Sequence, residues 1–123
     1  MYLLDTNAII DYLDNKLSEK GILFMDKIEL PQISIASRIE LSILPNATEK
    51  HIKITQQYID YCKVYDLSET IVLKIIELRR KYKIKDFDSI IAATALVNNL
   101  SLVSNDKGFL NIKNLRTINL YEL

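Results

Sequence analysis

Leu3-Leu4-Asp5-Thr6-Asn7-Ala8-Ile9-Ile10 holds the first decision about the fold. The apolar run from Tyr2 to Leu4 reads as a short strand, and a helical stretch follows at once from Thr6 to Leu13. Asp5 stands at the junction. The same rhythm continues outward along the chain. A helix over Ser18–Ile28, with Ser18 as its cap, leads to a strand opening at Pro31-Gln32-Ile33-Ser34-Ile35. Ser37 then starts a helix that runs to about Leu44 and is ended by Pro45. Thr48 to Cys62 is amphipathic, Lys63-Val64-Tyr65 is a short strand, and Ser68 caps a helix over Glu69–Tyr82. From Asp86 or Phe87 to Asn99 the chain is almost wholly apolar and rich in alanine, which suits a helix lying close against a sheet. Strands over Leu100–Val103 and Arg116–Leu120 finish the pattern. Alternation of buried short strands with helices predicts an α/β fold, three-layered α/β/α around a central parallel sheet of four or five short strands. Ligands of such sheets bind beyond the carboxyl ends of the strands, so every acid at a strand end is a candidate.

Composition narrows the class without naming a function. The 123 residues suffice for one domain, 1–123, and 49% of them are hydrophobic, enough to offset the entropy of ordering the chain. The only cysteine is Cys62, which excludes an internal disulfide and fits a reducing, cytoplasmic setting. No apolar run approaches the roughly 20 residues that span a bilayer, and Met1–Asp5 lacks the plan of a secretory signal. Sixteen basic and sixteen acidic residues cancel. No global field therefore draws the protein to nucleic acid, and any such activity must be argued from a site.

Four acids qualify, and each has a plain local explanation. Asp5 suits a helix N-cap, as do its neighbours Thr6 and Asn7, which read as supporting residues rather than catalysts. Ser37-Arg38-Ile39-Glu40 matches the S-x-x-E capping box. Asp86 reads as the cap of the alanine-rich helix and Asp88 as a first-turn residue favoured by the macrodipole. Ser104-Asn105-Asp106 suits a turn. The joint pattern weighs more than any member. Two acids lie beyond strand ends and two in first turns of helices entering the same sheet edge. Carboxylates gathered without a cation repel one another and oppose folding. Mg²⁺ or Mn²⁺, which takes oxygen ligands, removes that conflict. His51 is the only histidine and sits far from the acids in sequence, so zinc sites and serine–histidine triads lack a residue set.

At this point a resemblance is visible over nearly the whole chain. Residues 3–10, residues Ile33–Leu41, Asp88–Ala95, and Leu102–Asp106 followed by Phe109 resemble, in order, the four motifs of the PIN-domain superfamily, specifically the short VapC-type toxins. Each string alone is weak; four in order are strong. Ser104 stands where that family often has threonine, and no glycine follows Glu40-Leu41. The resemblance implies hydrolysis of RNA phosphodiesters by an endoribonuclease with one or two Mg²⁺ or Mn²⁺ ions, a homodimer, and a cognate antitoxin protein. On that reading Asp5, Glu40, Asp88 and Asp106 are catalytic and hold the metal, while Asn7, Ser104 and Asn105 orient ligands or waters. Arg38, Lys85 and Lys107 stand beside the acidic motifs and are candidates for RNA phosphate. Three readings compete. One is a PIN nuclease of RNA maturation or decay without an antitoxin, and another a non-catalytic PIN-like module binding RNA or protein. The third is a phosphoacceptor receiver, which needs adjacent acids after the first strand where Asp5 stands alone, although Asp66 lies near a strand end.

Overall fold

The computed structural model describes all 123 residues. Five strands of two or three residues carry the fold: β1 (Tyr2–Leu4), β2 (Gln32–Ser34), β3 (Lys63–Tyr65), β4 (Ser101–Val103) and β5 (Thr117–Ile118). Six helices connect them: α1 (Thr6–Leu13), α2 (Glu19–Asp26), α3 (Ile35–Ser42), α4 (Glu49–Tyr61), α5 (Glu69–Lys81) and α6 (Asp86–Val97). Every strand pairing is parallel. The expected sheet is present, but its ladder is interrupted. β1, β4 and β5 form one ladder in that order, β2 and β3 form another, and β2 lies alongside β1 without a shared ladder.

Alternation along the short strands builds the three layers. Leu3 and Leu102 face one side and pack with Ile71, Leu78, Ile91 and Phe109 beneath α5 and α6. Their neighbours Leu4 and Val103 face the other side and pack with Ile33 of β2 and with Ile9, Met25, Leu41 and Ile59 from α1 to α4. Successive strand side chains point to opposite faces, so a two-residue apolar step serves two cores. α6 is the central helix of the first side. Ile91, Ala92, Ala93 and Ala95 are all fully buried on it, and small side chains allow its close approach to the sheet.

Several boundaries follow the sequence closely because hydroxyl caps mark them. Ser18, Thr48 and Ser68 each accept an amide hydrogen from the third residue beyond, as N-caps do. One boundary differs. α3 begins at Ile35 with Ser34 as its cap, where Ser34 Oγ accepts from Ala36 N–H at 2.9 Å, and the helix ends at Ser42, before Pro45. Ser37 is thus inside the helix and no capping box forms. α6 also starts otherwise than expected: its N-cap position is Lys85, with no side-chain cap, and Asp86 forms an ion pair with Arg79. The short connections are made by asparagine. Asn15, Asn46, Asn99 and Asn114 all adopt positive φ, the conformation glycine usually supplies, in a chain holding only two glycines. No helix is long and apolar enough to cross a membrane.

Candidate functional site

Parallel order fixes where the acids meet. β1 connects through α1 and α2 to β2 on one side, while β4 returns to pair with β1 on the other. The carboxyl ends of β1 and β4 therefore border the switch point of the sheet, the position where open α/β folds bind ligands. Asp5 leaves β1 there, its N–H donating to Val103 O at 3.0 Å. Ser104 leaves β4 beside it and donates its hydroxyl to Asp5 Oδ2 at 2.6 Å. Ser104 Oγ also accepts from Asp106 N–H at 3.0 Å, so one buried hydroxyl ties the first acid to the loop of the last.

Each local explanation survives only in part. Asp5 Oδ1 does accept from Thr6 N–H at 2.8 Å, as a cap would, but its other oxygen is committed across the sheet to Ser104. Asp106 Oδ1 caps the 3₁₀ turn Lys107–Phe109 through Gly108 N–H at 2.8 Å, leaving Oδ2 without a partner. With no capping box, Glu40 turns instead to α1, where the Thr6 hydroxyl lies 2.7 Å from its Oε1. The Asp88 side chain makes no hydrogen bond to the protein, and the Asp86 side chain is paired with Arg79. Asp66 follows β3, the strand farthest from β4, which removes the receiver-like arrangement.

Two of the carboxylates, Asp5 and Asp88, feel the charge of the others. Burial raises the Asp5 carboxyl above its ordinary range, and the charges of Glu40 and Asp106 add to the rise against the hydrogen bonds from Ser104 and Thr6. Asp88 is pushed from 3.8 to about 6, first by burial and then by Asp106, Asp5 and Glu40, with Lys85 opposing. A cluster with that mutual repulsion, all oxygen and without a histidine or thiol, fits a hard divalent cation by its donor chemistry. In the rotamers present, no three of them converge on one point. Asp5, Glu40 and Asp106 are each held by protein hydrogen bonds. Glu40 Oε2, Asp106 Oδ2 and both Asp88 oxygens remain uncommitted, and these would hold the ion with Asp5.

Of the polar residues expected to support the acids, Ser104 touches one, whereas Asn7 and Asn105 are exposed and hydrogen-bond none of them. Arg38, Lys85 and Lys107 are all exposed near the motifs, and Lys85 lies close enough to Asp88 to lower its pKa. Two contributors escaped the sequence. Ser37, fully buried, supports Thr6 rather than its own helix end. Gly108 leaves room for a carboxylate, since a Cβ there would come within 3.1 Å of Asp106 Oδ1. The signal for Gly108 was its place two residues after an aspartate, the spacing of an Asx turn. Ser104→Ala should leave Asp5 buried and short of a donor, at a cost of about 1–3 kcal/mol. Urea unfolding of the metal-free protein measures this, and a change within error of zero would mean that the 2.6 Å contact contributes nothing.

Comparison with known proteins agrees with this architecture. Residues 2–115 match the model of the PIN domain. Among solved structures, a chain of a toxin–antitoxin complex from Klebsiella pneumoniae superposes with a TM-score of 0.80 at 24% identity, over 100% of both chains. A chain of DNA-bound VapBC from Salmonella typhimurium gives 0.79 at 25% identity, with 95% of this chain and 96% of that one covered. FitAcB from Neisseria gonorrhoeae gives 0.77 at 21% over 100% of both chains. No curated protein matches the chain.

Proposed function

The chain belongs to the PIN-domain family, and on that premise we propose that it is a Mg²⁺- or Mn²⁺-dependent endoribonuclease, the toxin of a toxin–antitoxin pair. The observation that carries this reading is the hydrogen-bonded linkage of three of the acids, Ser104 joining Asp5 to the Asp106 loop and Thr6 joining Asp5 to Glu40, with Asp88 near enough to be raised by their charges. Structures that formed only local caps would have no reason to gather four like charges, because the gathering itself destabilises the fold. A divalent ion, when bound, supplies positive charge to a phosphodiester and acidifies a water for attack on phosphorus.

The chain's own residues do the rest. Asp5 is the fixed wall of the site, held by main chain on one side and Ser104 on the other. Glu40 and Asp106 present one free oxygen each, and Asp88 presents two at the rim. Lys85, Arg38 and Lys107 lie exposed around these acids and would receive backbone phosphates, which dominate nucleic-acid affinity in a protein of zero net charge. The likeness to chains from toxin–antitoxin complexes supports an antitoxin partner for this one. Exposed Ile52 on α4 and Leu73 and Ile76 on α5 offer apolar surface for that partner or for a homodimer.

The test is cleavage of RNA by the purified chain with Mg²⁺ or Mn²⁺, after chelation, and after the ion is returned. Cutting should stop with chelator and resume with the ion. Cutting that persists in chelator removes the metal assignment. Absence of both cutting and ion binding points to the non-catalytic module instead. Co-expression with a small neighbouring reading frame that silences the activity separates a toxin from a nuclease of RNA maturation or decay.

A further inference from the structure

We propose that Thr6 is a positioning residue for Glu40 and the middle link of a buried hydroxyl chain that begins at Ser37. The proposal rests on the metal-nuclease reading above and assigns a duty that the four acids do not perform. Thr6 Oγ1 lies 2.7 Å from Glu40 Oε1 and 3.0 Å from Ser37 Oγ. A hydroxyl has one proton, and the shorter, charge-assisted contact takes it. Thr6 therefore donates to Glu40, and Ser37 must donate to Thr6. The chain runs one way, from α3 to α1 and back to α3.

Burial makes this arrangement costly unless it is satisfied. Ser37 is fully buried and Thr6 is 6% exposed, so each hydroxyl needs its partner. A serine inside a helix ordinarily turns its hydroxyl back to the carbonyl four residues earlier. Here it reaches a different helix instead, 31 residues away in sequence. Thr6 meanwhile acts twice. Its N–H holds Asp5 Oδ1 at 2.8 Å, and its O–H holds Glu40 Oε1 at 2.7 Å. One residue thus sets the relative placement of two carboxylates that the fold brings from β1 and α3. Glu40 Oε2 stays without a partner on a carboxylate whose other oxygen is pinned. Hydrogen bonds of this sort to a metal-binding carboxylate fix its direction.

Thr6→Val separates the two duties, because it keeps the N–H that holds Asp5 and removes only the hydroxyl that holds Glu40. Mn²⁺ affinity of the folded protein, by titration calorimetry, should fall about 10- to 100-fold. Thr6→Ser should restore it, and Ser37→Ala should weaken it in the same direction by less. Urea unfolding of the same variants reports folding separately. If Thr6→Val lowers stability but binds Mn²⁺ as wild type does, the hydroxyl is merely structural and the proposal is overturned. Tighter binding overturns it also, since Thr6 would then be holding Glu40 away from the ion. Glu40→Gln is the control for the reading underneath. Equal Mn²⁺ affinity in wild type and Glu40→Gln sinks the metal role of Glu40 and this proposal with it, whereas loss in Glu40→Gln alone sinks only the role of Thr6.

Discussion

Asp88→Asn should reduce RNA cleavage by about 10²–10³-fold and, in the same molecule, stabilise the metal-free protein at neutral pH. The opposite signs follow from a single cause. The Asp88 carboxyl is raised from 3.8 to about 6 by burial and by Asp106, Asp5 and Glu40. Below pH 3.8 it carries a proton in both the folded and the unfolded chain and makes no difference to stability. As pH rises from 3.8 to 6 the unfolded chain ionises first, so the folded state is progressively penalised, and above 6 the penalty is constant. A shift of that size corresponds to about 3 kcal/mol without solvent. Asp88 is only half-buried, and screening leaves about 1 kcal/mol. The amide has no charge to repel. Urea denaturation should therefore find Asp88→Asn more stable than wild type at pH 7.5 and equal to it near pH 3.5. Saturating Mn²⁺ should reverse the order at pH 7.5, because only wild type gains a full set of ligands. Wild-type cleavage rates in the variant would remove Asp88 from the site. A variant less stable at pH 7.5 would show that no repulsion existed to relieve.

That trade between stability and site explains why the acids were legible in the sequence while their contacts were not. A carboxylate beyond a strand end can be read from β-α alternation, because strand direction decides which edge it reaches. Asp5 and Asp106 are read this way, and both lie just beyond the carboxyl ends of β1 and β4. The partner of Glu40 could not be. The spacing of Ser37 and Glu40, three apart, signals a capping box, but the same spacing places two side chains on one face of a helix already begun. Ser34, three residues earlier, was the cap, and nothing local distinguishes two serines at the two positions. What decides is Thr6, 34 residues away from Glu40, whose hydroxyl is reached only after β1 and β2 lie side by side. Asp86 differs for a related reason: the helix begins one residue earlier, with Lys85 at the cap position, and Asp86 pairs with an arginine on α5. The interrupted ladder between β1 and β2 has no sequence signal, since strands of three residues carry one full alternation and no more.

Phe109→Ala should cost about 3–5 kcal/mol, a large share of the roughly 5–15 kcal/mol that holds a domain folded. Phe109 is fully buried and is the largest side chain so placed. It packs in the cluster that contains Leu3, Leu102 and Ile91, beneath the strands that deliver Asp5 and Ser104 to the site. Its position in the chain gives it a second consequence. Phe109 N–H donates to Asp106 O at 3.3 Å, closing the 3₁₀ turn whose N-cap is Asp106 itself. The aromatic ring thus anchors in the core the same turn that Asp106, the proposed ligand, caps. Phe109→Ala is expected to lower the urea midpoint far enough that the site cannot be studied, so Phe109→Leu is the informative companion. A smaller apolar side chain should cost only about 1.5 kcal/mol and leave the protein folded. Mn²⁺ affinity should nevertheless weaken, because the turn that aims Asp106 is no longer held at a fixed depth. A Phe109→Ala protein within 1 kcal/mol of wild type would contradict the packing of this core, while unchanged Mn²⁺ affinity in Phe109→Leu would mean that Ser104, through its bond to Asp106 N–H, is enough by itself to hold the loop in place.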